Sequence, residues 1–357
     1  MTPAPADAPL FLTYTEKKLR GGMETAAAIV KNVFPALQVM GMETVHASPW
    51  LHLPIPFIRE PLTSLALAAA VRGRKNAPAF IMTSSMHGWA LPAKRTGIPI
   101  VSFMHGPDPL FAAAAFKKND LAYWRMRYVY AYFEKKSAVN ADLVISNSPF
   151  TQRTLKEEYG ISSRVLELPI DAHVFFPGSK ARARKELDWS AEKTHVLFVG
   201  NPTYSKGWDI FLRLARENPA MQFNAVLVST PAESAPNIRI FSSVERHVLA
   251  TFYRAADALV FPSRFEGFGL VPMEALACDC PVIAAEVGIF HDFKPPGYFQ
   301  AAHADPISFN EQLRRAVKNK APRSSSLVHA RFGFQRYAST LRAWVEELIR
   351  SKGEERI

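Results

Sequence analysis

Two glutamates, Glu266 and Glu274, stand eight residues apart in the stretch Ser263-Arg-Phe-Glu-Gly-Phe-Gly-Leu-Val-Pro-Met-Glu274, and the residues around them suit a phosphorylated ligand. Upstream, Ala258-Leu-Val-Phe-Pro262 is a short apolar run bounded by turn residues, which predicts a buried parallel strand. Gly267 and Gly269 let the backbone take positive φ and come close to a ligand. Pro272 suits the first position of a helix whose apolar face continues through Met273, Ala275, Leu276 and Ala277. The first amides of such a helix have no partner within it and form an anion site, worth roughly 0.3–1 kcal/mol per charge when exposed.

Carboxylates repel phosphate, so the glutamates point to neutral hydroxyls instead. A sugar or ribose diol can donate two hydrogen bonds to one carboxylate, and charge-assisted bonds of this kind are about twice as strong as neutral ones. With Pro272 at the first helical position, Glu274 falls in the first turn, where it can hold a ribose while a diphosphate rests on the loop amides. Glu266, at the strand end, would face the other side of that diphosphate. Plainer readings stand beside these. Glu274 is also what a helix start favours for its dipole and its capping box, and Glu266 is also what a solvated loop carries.

The elements that must position these residues alternate between strand-like and helix-like from end to end, which predicts an α/β protein with parallel sheets covered by helices. The first set runs from Pro9-Leu-Phe-Leu-Thr-Tyr14 through a turn at Gly21-Gly22, a helix from Met23 to about Val33, and strands at Ala79–Thr83, Ile98–Phe103 and Ala141–Ser146. Prolines in Leu168-Pro-Ile-Asp-Ala-His-Val-Phe-Phe-Pro177 break regular structure and mark a linker. The second set has strands at His195–Gly200, Phe223–Val228, Ala258–Pro262 and Cys280–Ala285, with a helix from Trp208 to about Glu217. A chain of 357 residues exceeds one ordinary core, so two domains are expected, 1–177 and 178–337. Ligands of open parallel sheets bind beyond the carboxyl ends of the strands, the side on which Lys206, Glu266 and Glu274 fall. Two facing domains of this kind would place the site in an interdomain cleft.

Composition narrows the partners. Hydrophobic content of 48% with 21% charged residues is that of a soluble protein. The longest apolar run, Leu65-Ala-Leu-Ala-Ala-Ala-Val71, falls well short of a membrane span, and the first residues lack a secretory pattern, so the chain is expected to stay in the cytoplasm. Cys278 and Cys280 have no other cysteines to pair with, which argues against a disulfide framework or a zinc site and for buried apolar roles. The net charge of +11 asks for an anionic partner. Residues 117–136 hold six basic and two acidic residues interleaved with Tyr123, Trp124, Tyr128, Tyr130, Tyr132 and Phe133. As a helix this segment suits an anionic membrane surface, or else packs its aromatics inward and leaves a solvated basic face. Nucleic acid is disfavoured, because no recognition pattern accompanies the charge.

The chain resembles the retaining glycosyltransferases of family 4. The resemblance is strongest in Phe261-Pro-Ser-Arg-Phe-Glu-Gly-Phe-Gly-Leu-Val-Pro-Met-Glu-Ala-Leu-Ala277 and Pro281-Val-Ile-Ala284, which look like the family's Glu-x7-Glu signature and its following strand. Gly21-Gly22-Met23-Glu24, Ser102-Phe-Met-His-Gly106, Ala141-Asp-Leu-Val-Ile-Ser-Asn-Ser148, Lys206-Gly207 and Phe332-Gly-Phe-Gln-Arg-Tyr337 support it. The resemblance implies the GT-B fold of two facing Rossmann-like domains, with a last helix, about 338–357, that packs back on the first. It implies a nucleotide diphosphate-sugar donor and a sugar, glycolipid or other hydroxyl acceptor, in settings such as bacterial glycolipid, lipopolysaccharide or polysaccharide synthesis, at the inner face of the membrane where the acceptor requires it.

By resemblance, Glu274 binds the ribose and Glu266 the donor sugar, and Lys206 neutralises the leaving diphosphate. His105 lies near the transferred sugar, or else only satisfies local backbone groups. Gly22 faces the phosphates and the acceptor, and Asn201, Gly267, Phe268, Gly269 and Leu270 line the donor. His87, in Met86-His-Gly88, reads as structural. No Asp-x-Asp pair is present to hold a divalent metal, so fixed cations and helix amides must stabilise the leaving group, and no cofactor is expected. In retaining chemistry of this family, attack and departure occur on one face of the sugar.

Three positions depart from the family pattern. Asn201 stands where an arginine is usual, with Arg264 or Arg20 as candidate substitutes. Asp279 replaces a glycine before the Pro-Val strand, and Ile289 replaces the second glycine of a pair after it. Two other readings follow from these departures and from the charge: a nucleotide-binding subunit of the same fold with weakened chemistry, or a basic membrane- or nucleic-acid-binding protein.

Overall fold

The computed structural model describes residues 7–15, 22–46, 59–91, 97–242, 244–319 and 322–354. The chain divides into two compact units, Met1–Leu168 with Gln335–Ile357, and Pro169–Phe334. The first contains β1 (Leu10–Leu12), α1 (Gly22–Val33), β2 (Gln38–Met40), α2 (Arg59–Arg72), β3 (Ile81–Ser84), β4 (Ile100–Met104) and α3 (Asp108–Ala115). A continuous helix follows, here α4, made of Leu121–Trp124, the π-helical turn Arg125–Tyr130 and Ala131–Asn140; then come β5 (Leu143–Ser146), α5 (Pro149–Tyr159) and β6 (Arg164–Val165). The second contains α6 (Lys180–Glu186), β7 (His195–Gly200), α7 (Trp208–Glu217), β8 (Gln222–Leu227), β9 (Ile238–Ser242), α8 (Arg246–Ala255), β10 (Ala258–Phe261), α9 (Leu270–Ala277), β11 (Val282–Ala284), β12 (Tyr298–Gln300), α10 (Pro306–Lys318) and α11 (Ser325–Arg331). The last helix, α12 (Phe334–Glu354), belongs almost wholly to the first unit, where Arg342 donates to the Val33 carbonyl and Lys352 pairs with Asp142.

Both sheets have six parallel strands, in the orders β2-β1-β3-β4-β5-β6 and β12-β11-β10-β7-β8-β9. Their central strands are buried on both faces, as helices on either side of a parallel sheet require; β7 and β10 are nearly all apolar, while β3 ends in the buried hydroxyl residues Thr83 and Ser84. In the second unit, Phe198 on β7 packs against Trp208 and Phe211 of α7, with ring centroids 5.4 and 5.1 Å away. The strand order reverses between β7 and β10, so the loops leaving those two strands part to opposite sides and open a crevice at their carboxyl ends. The segment 169–177, read from its prolines as a linker, packs onto the second unit. Arg254 of α8 donates to the carbonyls of Val174 and Phe176, and Phe175 lies against Tyr253.

In the first unit the corresponding reversal lies between β1 and β3, next to β4. The loop after β4, His105-Gly-Pro, runs directly into α3 and is held there by α4. Buried Glu134 of α4 accepts the Asp108 amide at 2.9 Å, which anchors the first amide of α3, and accepts the Tyr159 hydroxyl of α5 at 2.6 Å with the same oxygen. Burial pushes the Glu134 carboxyl up to about 7, against the two donors, and the Asp108 carboxyl beside it is raised as well by burial and then by Glu134 and Glu60. A carboxyl whose folded value exceeds its unfolded one favours folding in its protonated form. Its contribution is present at low pH and is lost as pH rises from about 4.3 towards the folded value. Glu134→Gln keeps an acceptor for both donors and removes this titration. The variant is expected to lose less stability than the native chain between about pH 5 and pH 7, read from denaturant midpoints across that range. Equal slopes for the two proteins would show that Glu134 is not the group responsible.

Candidate functional site

The crevice in the second unit is built from two loops, Asn201–Gly207 after β7 and Pro262–Gly269 after β10. Gly207 has φ +73, and a Cβ there would lie 2.2 Å from the Pro262 carbonyl oxygen, so only glycine allows the loops to meet. Arg264 fastens them. Its amide donates to the Ser205 carbonyl at 2.8 Å, its guanidinium grips both Asp209 carboxylate oxygens at 2.8 Å, and it lies 3.7 Å over the Tyr204 ring. The sequence offers Arg264 as a replacement for the cation missing at Asn201. The structure assigns it to the Asp209 clamp instead, because a planar guanidinium bound at both ends by a carboxylate has its fork already occupied. Arg20 lies outside the described residues. Asn201 itself is exposed, with its carbonyl accepting the Thr203 amide at 2.8 Å.

The clamp brings together two residues sixty positions apart. Lys206 Nζ lies 2.6 Å from Glu266 Oε1, and the Ser263 hydroxyl donates to the same oxygen at 2.7 Å. The Glu266 side chain is only 13% exposed, so it is not a solvated loop residue. Behind it, Gly288 takes φ +55 with no room for a Cβ, which would meet the Phe268 carbonyl oxygen at 2.4 Å. Ile289 then donates its amide to that carbonyl at 2.8 Å while its side chain is fully buried, so this departure from the family pattern is absorbed by the core. Gly267, Phe268 and Gly269 are all buried, and Leu270 is half-buried at the helix start.

Glu274 sits differently from its expected place. Gly269, at φ +98, precedes a helix that begins at Leu270, so Pro272 is the third helical residue and Glu274 the fifth, in the second turn. The proline fits there because the first four amides of any helix lack partners inside it, and a missing one costs no bond. Glu274 is buried and reaches across to α8, where Arg246 donates to Oε1 at 3.0 Å and the Tyr253 hydroxyl to Oε2 at 3.3 Å. It therefore forms no capping box with its own helix start. Burial pushes its carboxyl up to about 7, although Arg246 and Tyr253 pull the other way. Asp279, a second departure, occupies φ +58, the conformation for which glycine is usual. It holds it by accepting the Ser324 and Ser325 amides at 2.9 Å each, at the start of α11. Cys278 and Cys280 are both buried free thiols.

In the first unit, His105 directly follows β4, with Nε2 3.1 Å from the Ser84 hydroxyl at the end of β3. Burial, then the neighbouring His87, lower its imidazole to about 4, which keeps it neutral at physiological pH. His87 is buried with Nδ1 2.7 Å from the Ser84 carbonyl, in keeping with a structural role. Gly22 is the first residue of α1, and Gly21 lies outside the described residues. Lys206, Glu266 and the loop 267–270 thus form one cluster in the second unit with Glu274 on the helix that follows, while His105 and Gly22 belong to the first. Sequence reasoning missed Arg246 and Tyr253, on a helix with no motif, and the Ser84 link between the histidines. Ser263 stands three residues before Glu266 in the same loop.

Two family models match the chain, Glycosyltransferase Family 4 over residues 41–174 and Glycosyl transferases group 1 over residues 179–330. Among curated relatives, the D-inositol 3-phosphate glycosyltransferase of Streptosporangium roseum is 31% identical over 231 residues, covering 57% of this chain and 52% of the relative. That of Acidothermus cellulolyticus is 30% identical over 269 residues, covering 66% and 59%. The chain thus spans little more than half the length of these relatives. Among solved structures, sucrose-phosphate synthase from Thermosynechococcus elongatus superposes with a TM-score of 0.80 at 19% identity, over 96% of this chain and 99% of that one. The Anabaena protein HepE, solved with UDP and glucose, gives 0.73 at 16% identity over 95% and 99%. A family match to each half, on two doubly wound parallel sheets, shows that the chain belongs with the family-4-like glycosyltransferases and has the GT-B fold.

Proposed function

We propose that the protein transfers a sugar, with retention of configuration, from a nucleotide diphosphate-sugar to an acceptor hydroxyl of a sugar, glycolipid or similar molecule. The observation that carries this reading is the Lys206–Glu266 pair at 2.6 Å, held where the second sheet reverses its strand order. A nucleotide diphosphate-sugar offers a partner to each member. Its diphosphate takes the Lys206 ammonium and the first amides of α9, and its sugar hydroxyls donate to Glu266. The solved structure with UDP and glucose supports the ligand class by analogy of fold.

In this reading bond cleavage places negative charge on the departing diphosphate oxygen, which Lys206 and the helix amides stabilise in place of a divalent metal. The same oxygen is on the side from which the acceptor hydroxyl arrives and can take its proton. Glu266 orients the sugar. His105, neutral, is suited to offer a sugar a hydrogen bond and not a charge.

Lys206→Ala and Glu266→Ala are each expected to lower turnover about a hundredfold to a thousandfold while leaving thermal unfolding near that of the native chain. Native turnover in both would overturn the assignment. Nucleotide-sugar binding in the native chain without transfer to any hydroxyl acceptor would favour a binding subunit with weakened chemistry, the reading to which Asn201 and the committed Arg264 lend weight. Activity should survive exhaustive chelation by EDTA. A loss that added magnesium restores would place a metal in the mechanism.

Glu274 supplies a pH dependence. Ribose hydroxyls donate to the ionised carboxylate, so binding favours loss of the proton that burial holds up to about 7. Affinity for a nucleotide diphosphate-sugar, whose phosphates do not titrate in this range, is expected to rise from about pH 6 to about pH 8 by calorimetry, and Glu274→Gln should flatten the rise. A rise that persists unchanged in the variant would remove Glu274 from the ribose.

A further inference from the structure

The helix α4 was expected either to pack its aromatics inward or to offer them to a membrane, and the two halves of that choice are divided between its faces. Tyr130, Ala131, Glu134, Ser137 and Ala138 are buried and hold the helix to the first unit. On the opposite side Leu121, Trp124, Tyr128, Tyr132 and Val139 recur at spacings of three, four, four and seven residues, and all are exposed, from 50% for Trp124 to 64% for Leu121. These spacings set them in one row along the helix. Trp124 and Tyr128 stack, with centroids 5.3 Å apart and rings 14° from parallel, so the row presents a flat aromatic surface. Lys117 and Lys118 before the row, and Lys135 and Lys136 within it, are exposed as well, whereas Asp120 is the one exposed acid between 117 and 139.

We infer that this row is an interface for an anionic lipid bilayer. Leucine and valine supply apolar depth, tryptophan and tyrosine supply rings with one polar edge suited to the headgroup boundary, and the lysines complement negative headgroups. A protein partner of ordinary kind would match an aromatic row with a groove. A headgroup layer instead accepts a convex helix with charge at its margins, which is the shape and charge found here. Among the described residues no helix is long and apolar enough to cross a membrane, and the contact inferred here runs along the outer side of α4. The inference stands on α4 alone and does not depend on the sugar-transfer reading.

The test is co-sedimentation of the full chain with phosphatidylcholine vesicles, with and without phosphatidylglycerol. The native chain should pellet with the mixed vesicles and far less with phosphatidylcholine alone. The triple variant Leu121→Ser, Trp124→Ser, Tyr128→Ser changes only exposed residues, so it should unfold at the native temperature yet lose at least about tenfold in partitioning, as the removal of three interfacial side chains implies. Each lysine among 117, 118, 135 and 136 changed to Gln should weaken binding to the mixed vesicles about fivefold, the equivalent of ~1 kcal/mol. Equal pelleting of native and triple-variant chains would overturn the inference. So would a native dimer, seen by sedimentation velocity without lipid, that the triple variant dissolves, since the row would then belong to a second copy of this chain.

Discussion

The grip of Arg264 on Asp209 is the interaction on which the geometry of the second unit's crevice depends. Two parallel strands that diverge at a reversal of strand order send their loops apart, and nothing in the sheet hydrogen bonding fixes one loop against the other. Arg264 supplies that constraint with a bidentate pair to the start of α7, an amide bond to Ser205 and a ring contact with Tyr204. Its own side chain is nearly buried while Asp209 is half exposed, so solvent screening limits what the pair adds to stability. Its effect is positional. Lys206 and Glu266 meet at 2.6 Å because the residues beside each of them are already joined.

The two glutamates of the Glu-x7-Glu stretch, Glu266 and Glu274, occupy different environments. Glu266 is matched by a cation at close range and by Ser263, on a loop whose backbone is packed tightly by Gly207 and Gly288. Glu274 lies deeper, with Arg246 and Tyr253 around it and burial outweighing both in the balance between its protonated and ionised forms. One spacing in sequence therefore encodes two kinds of carboxylate, one paired at the crevice and one held near its point of titration. A helix that starts at Leu270 instead of Pro272 is what makes the difference. It carries Glu274 into the second turn and towards α8.

Much of this was legible in the residues, for identifiable reasons. The strand His195–Gly200 and the helix Trp208–Glu217 match their expected bounds, because an uninterrupted apolar run and an amphipathic period leave little freedom. The four edge strands, β2, β6, β9 and β12, are not marked by the sequence pattern. Ile238–Ser242 has one buried residue in five and lies at a sheet edge, so no burial pattern marks it. The Arg264 clamp was invisible because its partner, Asp209, reads as an ordinary first-turn acid of α7. Arg246 and Tyr253 were invisible for a related reason: a side chain's partner across two elements is set by packing, and no local spacing carries it. Asp279 shows the converse, where a residue that looked like a defect fills a glycine conformation and caps a helix.

The helix α4 joins two demands that are usually separate. Its inward face carries Glu134, which fixes the first amide of α3 and through it the short loop that begins at His105. Its outward face carries the aromatic row. Between them lies the π-helical turn Arg125–Tyr130, in which Tyr128 and Val129 are exposed and Tyr130 is buried. The helix that carries the aromatic row is therefore also the one that holds the start of α3, so its two faces serve the core and the outer surface at once.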